Sequence, residues 1–311
     1  MPPQVHLIMR KVFTYNGSLL RRRFGWGFTL RCYVIVGEVT MRYEVKKIQG
    51  LALEHYIPQE RKDETPILFC HGTGGGSWIW SNFCKYFSER GWDTYAMNYR
   101  GHYLSDPLEN LGGCHFMDYV DDVETVVNAL EREPYLFGHS LGGIVVQKYA
   151  ERRNPAKLFL IDSGTCMALT ERLDIQSVVK GMAEKGVYAE KGDLVGMVSK
   201  KEKLRGFLFG ENLVEEAVLE EYVQKHGWES RQAAMESGFT PVDPDKITCP
   251  VYVIGKERGF STDMPTNQWL AEYYHARDVK VFEPMGHCFM KETNWEKYAD
   301  IIRKWLSETV S

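Results

Sequence analysis

The chain has 311 residues, 44% of them hydrophobic and 26% charged, with a net charge of -4. These values describe a soluble globular protein of one large α/β domain, or a core with an insertion, and exclude a disordered chain or a nucleic-acid surface built on bulk positive charge. Its seven cysteines are odd in number, scattered and without a C-x-x-C pair, which excludes a disulfide framework and a zinc site and points to a reducing cytoplasm.

Residues 1–40 carry Arg10, Lys11, Arg21, Arg22, Arg23 and Arg31 against one acid, Glu38. Arg21-Arg22-Arg23-Phe24 resembles a twin-arginine export signal, but Arg31 interrupts the residues behind it and no A-x-A-like cleavage site appears. The stretch is also too short and too broken for a membrane span. It is read as an extension, either poorly ordered or the product of an upstream start, with Met41 as the working start. Tyr43 to Ile48 and Leu51 to Tyr56 flank Gly50 as a hairpin. Ile67 to Cys70 is a short buried strand running into His71-Gly72-Thr73-Gly74-Gly75-Gly76. Trp78 to Arg90 has helical spacing, and Thr94 to Met97 is a strand leading to Tyr99-Arg100-Gly101-His102. Met117 to Arg132 is an amphipathic helix with Val120, Val123, Val126, Val127 and Leu130 on one face.

Pro134 to Phe137 is the next buried strand, followed by Gly138-His139-Ser140-Leu141-Gly142 and a helix from Gly143 to Arg152. The pentad fits G-x-S-x-G between strand and helix, the context of a nucleophile elbow. Lys157 to Ile161 is a strand that ends at Asp162. The strand rhythm then stops, and helices are expected over Leu173–Glu184, Gly192–Leu208 and Leu213–Lys225. Val251–Ile254 and Val279–Phe282 are later strands, and a last helix spans Asn294 to Leu306. This alternation predicts an α/β fold with a mostly parallel central sheet and helices on both faces. Sites in such sheets lie beyond the carboxyl ends of the strands, where His71, Ser140 and Asp162 fall. The expected organisation is an extension over 1–40, a core over 41–163 and 242–311, and an inserted helical cap over 164–241.

A serine hydroxyl needs a base to become a nucleophile. The base candidate is His287, in the loop between the last strand and the last helix. His71 is read as a brace for its own loop, His139 as the variable elbow residue and His102 as part of a rim. Two backbone N–H groups must converge on a developing oxyanion. The candidates are Leu141 and Thr73, with Gly74 as the alternative to Thr73. The run Gly74-Gly75-Gly76 lacks the lysine of a phosphate-binding loop, which argues against nucleotide binding.

On His71-Gly72-Thr73-Gly74, Tyr99 to Ser105, Gly138 to Gly143 and Gly286-His287, the chain from Met41 onward resembles the α/β-hydrolase superfamily, in its cap-bearing branch of serine esterases. Tyr103 departs from the glycine usual at that point of the arginine-glycine-histidine-glycine loop. The resemblance implies an α/β-hydrolase fold and a serine hydrolase cleaving a carboxylic ester through an acyl-enzyme, with no cofactor and no metal. Carbon–carbon bond hydrolysis, lactone or thioester hydrolysis, and a non-catalytic ligand-binding role remain open on the same fold. Relatives commonly carry the triad acid near the position of Gly259, where this chain has no aspartate. Asp162 is the first candidate for that acid, with Glu257 and Asp263 as alternatives. Trp78, Trp80, Phe207, Leu208 and Phe209 suggest an apolar acyl or alcohol group. The expected partner is thus a small acyl substrate, without nucleic acid or an obligate membrane.

Overall fold

The computed structural model describes residues 30–36, 39–174, 188–197, 201–210, 213–258 and 263–308. Their main feature is a nine-stranded sheet. Its strands are β1 (Leu30–Val36), β2 (Val39–Ile48), β3 (Leu51–Ile57), β4 (Ile67–Cys70), β5 (Thr94–Met97), β6 (Tyr135–His139), β7 (Lys157–Ile161), β11 (Val251–Lys256) and β12 (Asp278–Phe282), in the spatial order β1-β2-β3-β5-β4-β6-β7-β11-β12. The β1, β2, β3 and β5 pairings are antiparallel, and from β5 to β12 the strands run parallel.

Strands β4 to β7 are buried on both faces, as their unbroken apolar runs require. Alternate residues feed two cores. Phe69, Phe137, Phe159 and Tyr252 stand in register across four neighbouring parallel strands. Their rings meet at 4.8, 4.1 and 5.1 Å between centroids. This ladder packs under α1 (Ser81–Ser88) and the C-terminal helix, whose Trp305 lies 5.2 Å from Tyr252. On the other face Leu68, Leu136, Leu158 and Val253 pack with α2 (Phe116–Val127) and α3 (Leu141–Arg152).

Two expectations about the domains need correction. The extension does not reach residue 40: Leu30–Val36 pairs with β2, which itself begins at Val39, so the hairpin adds an antiparallel edge to the sheet. Residues 1–29, with their arginine cluster, lie outside the described residues. The segment between β7 and β11 is also not purely helical. It holds α4 (Met167–Thr170), α5 (Lys201–Leu208), α6 (Glu216–Lys225) and α7 (Arg231–Gly238). It also holds a three-stranded antiparallel sheet of β8 (Tyr188–Lys191), β9 (Leu194–Met197) and β10 (Glu229–Ser230). The helix expected from Gly192 to Leu208 is therefore not continuous: Gly192, at φ +60°, turns β8 into β9, and the described helix spans Lys201–Leu208. The helix expected over Leu173–Glu184 lies outside the described residues from 175 onward. Helix α8 (Met264–Tyr273) covers β11 and β12, and α9 (Trp295–Ser307) closes the chain.

Candidate active site

Ser140 sits between β6 and α3 with φ +55° and ψ -122°, a backbone conformation that L-residues avoid. Such geometry costs about 1–3 kcal/mol and persists only where its surroundings impose it. Here the Ser140 carbonyl accepts from Gly143 N at 2.9 Å and Gly164 N at 3.0 Å, while Ser140 N donates to Ile161 O at 3.3 Å. The turn is thus pinned to the loop after β7. Leu141 opens α3, so no preceding helical residue offers its N–H an acceptor within the helix.

Asp162 also has a left-handed backbone, φ +39°, which turns it out of β7 as that strand ends. Its side chain is fully buried, and its Oδ2 accepts from His287 Nδ1 at 2.5 Å. The same oxygen accepts from Lys256 Nζ at 2.8 Å. Burial alone would raise the Asp162 pKa; the Lys256 ammonium and the His287 bond outweigh it and hold the carboxyl well below the usual carboxylate range. For His287, burial and the Lys256 charge lower the pKa, and Asp162 offsets only part of that. His139, one residue before Ser140, donates from Nε2 to the His287 carbonyl at 2.8 Å, and the two rings lie 4.5 Å apart. The elbow and the histidine loop are therefore tied together.

The other acid candidates lie elsewhere. Glu257 is exposed, and its backbone N–H donates to Phe282 O at 2.9 Å. Asp263 caps α8, accepting from Thr266 N at 3.2 Å and Thr266 Oγ1 at 2.7 Å. Of the three, Asp162 is the carboxylate bonded to His287.

The loop after β4 runs against the elbow. A Cβ on Gly72 would come 2.7 Å from the Ser140 Cβ, so glycine is required there. Tyr99 N donates to His71 Nε2 at 3.3 Å, which leaves the ring proton on Nδ1, and Nδ1 donates to Gly72 O at 2.8 Å. Burial pushes the His71 pKa down to about 3, so it braces the loop as a neutral ring. Gly72 O also accepts from Gly75 N at 3.1 Å. In a trans peptide the N–H opposes the C=O, so this anchoring fixes the direction of the Thr73 N–H. The Gly74 N–H is taken by Glu229 Oε2 at 3.2 Å. Of the two donors expected from this loop, Thr73 is the one left unspent among the described residues.

Of the five residues taken to suggest an apolar group, four lie in the core and Phe207 packs half-buried against it. Trp78, Trp80, Leu208 and Phe209 are buried in the core, where the Trp78 and Tyr222 rings meet edge to face at 5.1 Å. They therefore carry no argument about an acyl group. Among the described residues no cluster of three or more His, Cys, Asp or Glu is arranged to hold a metal. No described helix is long and apolar enough to cross a membrane.

A model of the alpha/beta hydrolase fold family matches residues 65–224, more than half of the chain. The chain belongs to the α/β hydrolase fold family. A caffeoylshikimate esterase of Arabidopsis thaliana is 22% identical over 291 residues, covering 84% of this chain and 82% of the esterase. An esterase from Exiguobacterium antarcticum superposes with a TM-score of 0.61 at 16% identity, covering 85% of this chain and 96% of its own. A methylesterase protein from Arabidopsis does so with a TM-score of 0.62 at 13% identity, covering 78% and 99%.

Within this α/β hydrolase, three residues around the site belong to no motif. Lys256 ends β11 beside β7, a position that strand register alone would put near Asp162, since Ile161 pairs with Ile254. Glu229 comes from β10 of the inserted segment. Glu292 follows the histidine loop and accepts from both Gly286 N, at 2.8 Å, and Gly210 N, at 2.7 Å.

Proposed function

We propose that this α/β hydrolase is a serine hydrolase that cleaves a carboxylic ester, with Ser140, His287 and Asp162 as its triad. The observation that carries the reading is the 2.5 Å bond from His287 Nδ1 to the buried Asp162 carboxylate, beside a serine on a strained elbow. His287 Nε2 takes the Ser140 proton as Oγ attacks the ester carbonyl. The N–H groups of Thr73 and Leu141 hold the oxyanion. His287 returns the proton to the leaving alcohol, and an acyl-enzyme remains. Water, deprotonated by His287, then attacks it; the acid departs and Ser140 regains its proton. Asp162 keeps the proton of His287 on Nδ1 and stabilises the imidazolium. The esterase names of the relatives support an ester as the substrate.

The test is hydrolysis of p-nitrophenyl esters from acetate to long-chain by wild type, Ser140→Ala and Asp162→Asn, together with fluorophosphonate labelling. Wild type is expected to be active and to label. Ser140→Ala should lose both, and Asp162→Asn should lose about 10⁴-fold in kcat. A wild type that neither labels nor hydrolyses any ester rejects the reading. An unimpaired Asp162→Asn rejects Asp162 as the acid.

A further inference from the structure

The inserted segment grips the loop after β4 at three consecutive polar groups. Thr73 O accepts from His226 Nε2 at 3.1 Å, Gly74 N donates to Glu229 Oε2 at 3.2 Å, and Gly74 O accepts from Gly227 N at 2.7 Å. The approach is so close that a Cβ on Gly74, at φ +57°, would lie 2.5 Å from Gly227 O and from His226 Cε1. Glu229 is completely buried. Its Oε2 also faces His102 Nε2 at 3.2 Å, and its Oε1 accepts from the Tyr119 hydroxyl and from Ser230 N, the latter at 2.8 Å. Burial opposes charge on both His102 and Glu229. Each nevertheless shifts toward its ionised form because the other faces it.

A carboxylate buried this completely is costly unless paired and fully hydrogen-bonded. Glu229 meets both conditions, yet it stands on the insertion and bonds Gly74, His102, Tyr119 and Ser230. What it holds is the Gly74 N–H, next in the chain to the proposed Thr73 donor. With Gly72 O anchored from the core side and Gly74 N from the insertion, the two peptides that flank Thr73 are each held by one group.

We infer that Glu229 is a positioning residue of the oxyanion hole: it anchors the Gly74 N–H from the insertion and so sets the Thr73 N–H as the loop donor. The inference rests on the proposed serine-hydrolase reading. An oxyanion donor acts only in the transition state, so its misplacement lowers kcat and spares KM. The experiment compares wild type, Glu229→Ala and Glu229→Gln in steady-state ester hydrolysis and in inhibition by a trifluoromethyl ketone, whose hemiketal oxygen occupies the oxyanion position. Lys201→Ala, on the exposed side of the insertion, serves as a control.

Glu229→Ala should lose about 10²-fold in kcat, with KM within about two-fold of wild type. Ketone affinity should fall by the same factor. Glu229→Gln keeps an oxygen for Gly74 N and should recover part of the loss, and it remains informative if Glu229→Ala does not fold. Wild-type kcat in folded Glu229→Gln and Glu229→Ala, or a loss confined to KM, overturns the inference alone. A wild type inactive toward every ester and fluorophosphonate overturns the serine-hydrolase reading, and the inference with it.

Discussion

At Asp162 Oδ2 two donors meet, His287 Nδ1 at 2.5 Å and Lys256 Nζ at 2.8 Å. Both lower the pKa of the carboxylate, but the charge of the one opposes a proton on the other. The ammonium keeps Asp162 ionised, but it also disfavours a proton on His287. The charged and titratable groups facing His287 are thus Asp162, Lys256 and the neutral His139, whose own pKa burial and His287 push well down. On the proposed reading His287 is the base, and a base works unprotonated, so the acid limb of kcat/KM should follow the pKa of free His287. That pKa lies below the ordinary imidazole value, so activity should persist into mildly acidic solution and fail only as the pH drops through the lowered value. Lys256→Met removes the opposing charge. His287 then holds its proton at higher pH, and the acid limb should move upward while the proposed ester hydrolysis survives on the plateau. A pH profile of kcat/KM for both proteins checks this. An acid limb that stays in place, or moves down, would show that Lys256 serves packing alone.

Strand β7 delivers Asp162, and Phe159 is its central rung, stacked between Phe137 and Tyr252 at 4.1 and 5.1 Å. Phe159→Ala would open a cavity in the middle of the ladder at a cost of about 3–5 kcal/mol. Urea denaturation should give a lower midpoint at unchanged slope; a loss under about 1 kcal/mol would mean that the neighbouring rings collapse into the space. Elements of this kind were legible in the sequence. Ile67–Cys70, Leu158–Ile161 and Val251–Ile254 are short unbroken apolar runs, as strands buried on both faces require. The elbow was legible because a serine between glycines, after such a run and before a helix, has few other uses. Asp162 followed from its place at a strand end. Strands β8 and β10 were not legible. Tyr188-Ala189-Glu190-Lys191 has half its residues charged, and Glu229-Ser230 is too short to show a period. β10 finds its partner β9 more than thirty residues earlier in the chain, a pairing that no local pattern announces. Glu229 was hidden for the same reason, since its partners Gly74, His102 and Tyr119 are all more than a hundred residues away.

Across the whole molecule the inserted segment touches the site at both sides. On one it holds the Thr73–Gly74 loop; on the other its α5 end meets the loop that carries His287. Cys288 N donates to Leu208 O and Thr293 N to Leu213 O, both at 2.7 Å. Glu292 Oε1 clamps the two together, accepting from Gly286 N and Gly210 N. The packing leaves no slack, since a Cβ on Gly286 would lie 2.3 Å from the Phe209 Cα. Burial raises the Glu292 pKa, so its charge is held against a desolvation cost that the two N–H groups only partly offset. What the clamp supplies is therefore acceptor geometry more than charge. Glu292→Gln retains an oxygen for both N–H groups and should fold with near-wild-type stability at neutral pH. Glu292→Ala leaves one buried donor, Gly286 N, unpaired at about 1–3 kcal/mol, and one half-buried donor, Gly210 N, at less. Hydrogen exchange at the Gly210 and Gly286 amides should accelerate together in Glu292→Ala, ahead of exchange in the central strands, because the insertion and the histidine loop are released from each other first. Ester hydrolysis should fall in step with that exchange. If the alanine variant exchanges these amides no faster than wild type, the contacts of Leu208 and Leu213 hold the interface without Glu292, and the clamp is redundant.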